Sequence, residues 1–388
     1  MNPFSNTETA FQLKSNQDLK KAKFLFLCIE KPALTKFGTV FLNTAMKYNF
    51  PFAKGIVKDT LFRHFCGGET MQKCIPVIQN MYSKGVSSIL DYSVEGKEEE
   101  ATFDHTVQET VKIINFAADN PAIPFSVFKP TGFGRLGLYE KAGSQQLLSD
   151  SEKEEWQRVC NRYYQVCELS HTLGLPIMID AEESWMQTAV DDLTEELMKK
   201  FNQEKCIVWG TLQMYRKGRL DFLKSQRKKA ENGGYFIGFK IVRGAYMEKE
   251  RERAQKMGYP SPIQPDKEST DRQYDEAMNF MLQNIDRISL YSGTHNEASN
   301  ERLIELIAQY GLKKNHPKIW FGQLYGMSDN ISFNLGKLGY NIAKYLPYGP
   351  IRNVVPYLTR RAEENTSVAG QTGRELSLLR KEILRRGI

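Results

Sequence analysis

The chain has 388 residues, 41% of them hydrophobic and 26% charged, which is globular composition and excludes a disordered or fibrous chain. Its net charge of +7 is modest, its arginines sit beside acids and its basic runs lack interleaved aromatics, so a nucleic-acid-binding surface is not expected. Six cysteines without close CxxC pairs and five histidines without HxH or HExxH argue for reduced thiols and against a disulfide frame or a metal centre.

Residues 1–84 show no strand–helix alternation. Segments 19–31 and 38–52 read as helices and 58–65 as another turn or two, together a helical N-terminal arm. The run FLFLCI (24–29) is far below the roughly 20 apolar residues that span a bilayer. Glu8 and Asp18, with no arginine nearby, do not suit a presequence. The expectation is a cytoplasmic protein, at most peripheral on the inner face of a membrane.

From residue 85 the pattern changes. Short β-branched or aromatic runs at 86–92, 124–129, 176–181, 206–213, 236–243, 287–293, 318–324 and 342–348 read as strands. Charged segments of helical period lie between and after them: 97–118, 151–173, 186–202, 215–231, 266–285, 298–311, 328–338 and 350–364. Such alternation implies parallel strands with right-handed crossovers. Eight units close naturally into a (βα)8 barrel over 85–388, an α/β fold. A doubly wound sheet, the alternative, usually has fewer strands and leaves edges.

One motif argues for that alternative. GFGRLG (132–137) follows a strand-like run with dinucleotide-loop spacing. A Rossmann unit needs the loop after its first strand, a helix opening directly, and an acid closing the next strand about 20 residues on. Here the loop follows the second strand, the segment after it wanders until a helix near Ser151, and the next strand-end acid, Asp180, is too distant. GFGRLG therefore reads as a flexible loop at the catalytic end of a barrel.

Barrel chemistry sits at the C-terminal strand ends. Those ends carry Asp91, Lys129, Asp180, Gln213, Lys240 with Arg243, the trio Thr294-His295-Asn296, Gln323 and Tyr345. A complete ring of such residues favours a charged ligand. Each also has a plainer reading. Lys129 is alone a solvated lysine, Asp180 a helix cap with Glu183 three residues on, His295 a core histidine, and Arg360-Arg361 a helix surface salt-bridged to Glu363 and Glu364. A Schiff-base aldolase using Lys129 or Lys240 is a rival enzyme class.

YLPYGPIRNVVPYLTRRAEEN (345–365) resembles the signature of proline dehydrogenases, and KIVRGAYMEKERERA (240–254) their strand-five motif. IDAEES (179–184), TLQMY (211–215), GTHNE (293–297) and FGQLYGM (321–327) follow the family order, so the resemblance covers about 85–388. It implies a distorted barrel holding FAD, with the last helix across the barrel mouth. The implied reaction oxidises L-proline to Δ1-pyrroline-5-carboxylate. Hydride passes from proline C5 to flavin N5, and electrons go on to a membrane quinone. With no aldehyde dehydrogenase domain in 388 residues, the expectation is the monofunctional form.

The resemblance also implies roles. Asp180, Lys240 and Tyr345 are the catalytic residues, with Asp180 balancing charge and orienting Tyr345. Lys129, Arg360 and Arg361 bind the substrate carboxylate, and Tyr246, Leu324, Tyr345 and Tyr357 wall the ring. Ala181, Gln213, Lys240, Arg243, Gly244, Ala245, Thr294 and His295 hold the flavin. Many bacterial members carry arginine where Lys240 stands, so here the charge is kept and the planar fork lost. Hydroxyproline dehydrogenases are the runner-up; those relatives lose the tyrosine at Tyr345, whose phenol would crowd a 4-hydroxyl. Finally, 373–388 spaces Leu376, Leu378, Leu379, Ile383 and Leu384 as an apolar stripe among five basic residues, a helix that either packs its leucines on the barrel or lies on anionic lipid.

Overall fold

The computed structural model describes residues 2–31, 55, 57–93, 98–367 and 371–388. The helix expected over 38–52 lies outside them. All eight expected strands form: β1 (Ser87–Tyr92), β2 (Ser126–Phe128), β3 (Ile177–Ile179), β4 (Val208–Gln213), β5 (Ile237–Val242), β6 (Ile288–Gly293), β7 (Ile319–Leu324) and β8 (Ile342–Tyr348). They are mostly buried along their length, as strands covered on both faces must be.

Sheet order is β1-β8-β7-β6-β5-β4-β3-β2. The pairing of first strand with last decides the class. β1 lies parallel to β8, with Ser87 opposite Ala343 and Tyr92 opposite Tyr348. The pairs from β2–β3 to β6–β7 are parallel as well. An open doubly wound sheet has no such first-to-last pair; the fold is a (βα)8 barrel.

The chain divides into two compact units, Lys97–Gly322 and the combination of Met1–Gly96 with Gln323–Ile388. Within the first, the helices Glu100–Ala118, Asp150–Leu173, Ser184–Phe201, Arg219–Gly233, Lys267–Gln283 and Glu297–Gln309 match the expected segments. Asp150–Leu173 shows the local logic. Ser149 and Glu152 form a reciprocal capping box, and Gly174 ends the helix at φ 68°.

Among the described residues, four helices escape the periodicity reading, the shortest being Thr7–Ala10. Met71–Tyr82 contains Pro76, and Leu136–Gly143 contains two glycines. Met247–Met257 buries only Glu250 and Ala254, so it has almost no apolar face to detect.

The second unit has its own core. Leu19, Ala22 and Phe26 of helix Asn16–Ile29 cluster with Phe62, Phe65, Val354, Val355 and Leu358. Leu376, Leu379 and Ile383 of the C-terminal helix Gln371–Arg386 belong to the same cluster. Of the two readings of that helix, this packing is the one in which its leucines face protein. Of its stripe only Leu384 is exposed, at 80%. Two of its basic residues bond to backbone carbonyls: Arg386 donates to those of Lys14 (2.8 Å) and Phe11 (3.0 Å), and Lys381 to that of Ser5 (3.2 Å). Among the described residues no helix is long and apolar enough to cross a membrane.

Candidate active site

In the unit Lys97–Gly322, β3 and β5 bring Asp180 and Lys240 into a buried ion pair, with side chains 15% and 7% exposed. The Asp180 N–H donates to the Phe128 carbonyl at 3.0 Å, which ties the end of β3 to that of β2. Asp180 is not a helix cap. The residue before helix Ser184–Phe201 is Glu183, and its side chain makes no capping bond. The cap comes from elsewhere: Glu250, fully buried, accepts from the Ser184 N–H and Oγ, both at 2.6 Å. A carboxylate there also meets the positive end of the helix dipole.

Gln213 closes β4 and is buried. Its Nε2 donates to the Ala181 carbonyl at 3.4 Å, while its Oε1 is buried without a partner among the described residues. Such an atom costs on the order of 1–3 kcal/mol unless something fills it. Just past β5, Arg243 donates to Asp271 (2.6 Å), Thr294 Oγ1 (2.8 Å) and Ser299 Oγ (3.1 Å), and lies 4.6 Å over the Tyr274 ring. Burial pushes the Asp271 carboxyl up, but hydrogen bonds from Lys267 and Arg243 outweigh this and hold it below its ordinary range.

Gly244 follows at φ 139°, where a Cβ would lie 2.4 Å from the Tyr215 ring. Only glycine fits, and it leaves bare backbone beside exposed Ala245 and half-buried Tyr246, the residue preceding helix Met247–Met257. After β6, the Thr294 N–H donates to the Gly322 carbonyl (3.0 Å), and His295 is half-buried.

Lys129 follows β2 and precedes the 3-10 turn Pro130–Gly132. The loop expected to be flexible is locked. Phe133 stacks on Phe128 with centroids 4.3 Å apart, and its carbonyl accepts from Arg162 at 3.0 Å. Tyr139 donates its hydroxyl to the Pro130 carbonyl at 2.8 Å. The motif also runs directly into a helix, Leu136–Gly143, rather than wandering; eight-stranded order, not loop conformation, is what excludes the dinucleotide fold.

The sequence reading missed Glu182. It is 6% exposed and accepts from Thr131 twice, N–H to Oε2 and Oγ1 to Oε1, both at 2.8 Å. Burial pushes its carboxyl up to about 7; the Thr131 bonds and the Lys129 charge oppose this, and Glu183 adds to it. The only sequence signal was its place beside Asp180, in a run of acids that reads as surface.

In the other unit, Leu324 ends β7, Tyr345 lies buried on β8, and Tyr357 is buried on helix Ile351–Ser367. Arg360 is exposed on that helix, and Arg361 lies 5.3 Å over the Tyr357 ring. The side chains of Glu363 and Glu364 lie outside the described residues. Lys344, next to Tyr345, is fully buried and was not anticipated. It donates to Asp329 (2.8 Å) and to the carbonyls of Met327 (2.6 Å) and Leu324 (3.3 Å). Asp329 also pairs with Lys14 at 3.2 Å. Burial would raise the Asp329 carboxyl, yet Lys344 and Lys14 hold it well below its ordinary range.

The proline dehydrogenase family model matches residues 74–374. The chain belongs to the proline dehydrogenase family. It is 33% identical to the carbapenem antibiotics biosynthesis protein CarD of Pectobacterium carotovorum subsp. carotovorum, over 83% of each chain. Identity to the mitochondrial proline dehydrogenase 1 of Dictyostelium discoideum is 34%, over 85% of this chain and 65% of that one. The hydroxyproline dehydrogenase of Xenopus laevis is 28% identical, over 97% of this chain and 88% of the relative. Among solved structures, proline utilization A from Bdellovibrio bacteriovorus inactivated by N-propargylglycine aligns with a TM-score of 0.74 at 20% identity, covering 93% of this chain and 38% of that one. At that identity the likeness speaks for the fold alone.

Proposed function

We propose that this member of the family oxidises L-proline to Δ1-pyrroline-5-carboxylate with FAD as cofactor, the first step of proline breakdown, and that a membrane quinone takes the electrons. One observation carries the reading. At the ends of β3 to β5, a buried Lys240–Asp180 pair neighbours a chain segment with no room for side chains at Gly244 and a glutamine oxygen lacking a donor. The oxidised flavin ring carries one N–H donor, which would suit the Gln213 oxygen, so the residues fit the group.

FAD supplies the two-electron acceptance that no side chain can. The chain supplies the rest. Lys240, Arg243, Gly244 and Ala245, with Ala181, Gln213, Thr294 and His295, hold the cofactor. Asp180 keeps the Lys240 ammonium from swinging and supplies a fixed negative charge. Arg360, Arg361 and Lys129 take the substrate carboxylate; a guanidinium fork matches two oxygens. Tyr246, Leu324, Tyr345 and Tyr357 wall the ring and exclude water.

A second reading, hydroxyproline oxidation, is prompted by the Xenopus relative that spans nearly the whole chain. Tyr345 favours the unsubstituted ring. Anaerobic titration of the purified yellow protein separates the two. Proline is expected to bleach the flavin absorbance and a soluble quinone to restore it. No bleaching by proline overturns the proposal, and preferential bleaching by hydroxyproline installs the second reading.

A further inference from the structure

A lysine stem has four rotatable carbons, so the place of its ammonium depends on how firmly its backbone is held. Lys129 is held unusually firmly. The turn after it is closed by the Gly132 N–H on the Lys129 carbonyl at 3.0 Å. Tyr139 fixes Pro130, and Thr131 donates both its N–H and its hydroxyl to Glu182.

Glu182 lies two residues beyond Asp180, so one carboxylate joins the turn carrying Lys129 to the segment carrying Asp180. It is braced from behind. Its N–H donates to Gln187 Oε1 (3.3 Å), Gln187 donates to Asp191 (3.0 Å), and Asp191 accepts from Arg219 (2.8 Å). Gln187 and Arg219 are both buried.

A buried carboxylate is a costly way to hold a threonine. A neutral amide would accept the Thr131 N–H equally well. What the carboxylate adds is a second acceptor oxygen, which takes the Thr131 hydroxyl at 2.8 Å. We propose that Glu182, acting through Thr131, is a positioning residue that sets Lys129 for the substrate carboxylate. This rests on the reading of Lys129 as a carboxylate ligand.

The test uses FAD-loaded protein, a soluble dye as acceptor, and proline titrations of Glu182→Gln, Thr131→Val, Thr131→Ser and Lys129→Met. Glu182→Gln and Thr131→Val are expected to raise the KM for proline roughly tenfold, the weight of one net hydrogen bond, with kcat changed less than about twofold. Thr131→Ser, which keeps both donors, should restore the wild-type KM. In the Lys129→Met background neither substitution should add to the loss, because the bracket then has nothing to position. An unchanged KM in Thr131→Val overturns the proposal, as does an effect that persists undiminished without Lys129. If Lys129→Met itself leaves KM unchanged, the reading of Lys129 falls and the proposal with it. Thr131→Val loses one hydroxyl only, so it carries the test should Glu182→Gln fail to fold.

Discussion

Two strand lysines, one in each unit, meet an aspartate in this molecule, and their surroundings differ. Lys344 on β8 has no exposed surface, and its ammonium is shared among Asp329 and two carbonyls. Its aspartate takes a second cation, Lys14, from the N-terminal segment. Lys240 on β5 pairs with an Asp180 that keeps some exposure, next to a glutamine oxygen without a donor. The first pair is closed and joins segments distant in sequence. The second sits beside a glutamine oxygen that finds no donor among the described residues. Two ion pairs of the same composition thus differ in their surroundings, and only the second belongs to the machinery of the proposed function.

The largest test breaks the closed pair. Asp329→Ala leaves Lys344 buried and Lys14 without its partner, so the fold should lose about 3–5 kcal/mol in denaturant unfolding. Asp180→Asn should lose clearly less stability while reducing turnover; equal losses would erase the distinction.

Lys240→Met sharpens it from the other side. The protein should stay folded, while the rate of flavin reduction falls at least tenfold and the flavin potential drops, since a nearby cation favours the reduced ring. Stopped-flow reduction and a potentiometric titration check this. Wild-type values would point to Arg243 instead. Arg361→Met should retain FAD but lower kcat/KM for proline at least tenfold, as expected for a charged hydrogen bond worth about 1.5–3 kcal/mol, and Arg360→Met should act similarly. Unchanged steady-state kinetics would remove the arginine pair from the substrate.

A pH titration probes the closed network. Burial, followed by the Lys14 charge, pushes the His64 imidazole down to about 3 from 6.5; Asp329 and the Gly326 carbonyl oppose this, and Lys344 adds to it. The folded pKa lies below the unfolded one, so the unfolded chain binds the extra proton between them. Stability is fully present above about 6.5 and falls as pH drops toward 3, by up to about 1.4 kcal/mol per pH unit. The difference in unfolding free energy between wild type and His64→Asn should follow that slope; a pH-independent difference would show that His64 is not held neutral. The smallest effect expected is at the C-terminal helix. Leu384→Ser should change stability by less than about 0.5 kcal/mol, whereas Leu379→Ala should cost about 2–5 kcal/mol. Comparable losses would place Leu384 in a contact that its exposure does not show.

Much of the site was legible as positions and little as partnerships. Strand ends named Lys129, Asp180, Gln213 and Lys240 because a barrel strand must surface where its apolar run stops. Glu182 and Lys344 were passed over for opposite reasons. Glu182 sits in an acidic run that reads as solvated, and Lys344 sits inside a strand where charge is not expected. The helix Met247–Met257 was missed because what holds it is ionic: Lys249 to Glu183 at 3.1 Å, Glu250 to Ser184, and Arg253 to Glu140.

By itself the sequence determined the eight strands, most of the helices between them and hence the barrel class. Strand burial, helix period and capping are local properties of a few adjacent residues. Only the tertiary structure decided who meets whom. Asp180 and Lys240 are 60 residues apart, and Glu250 caps a helix starting 66 residues earlier. The C-terminal helix shows the same boundary. Its leucine spacing announced an apolar face, but amphipathicity does not say what covers that face. The core around Phe26 and Leu358 does, because burying those leucines there removes more apolar surface from water than leaving them at the rim.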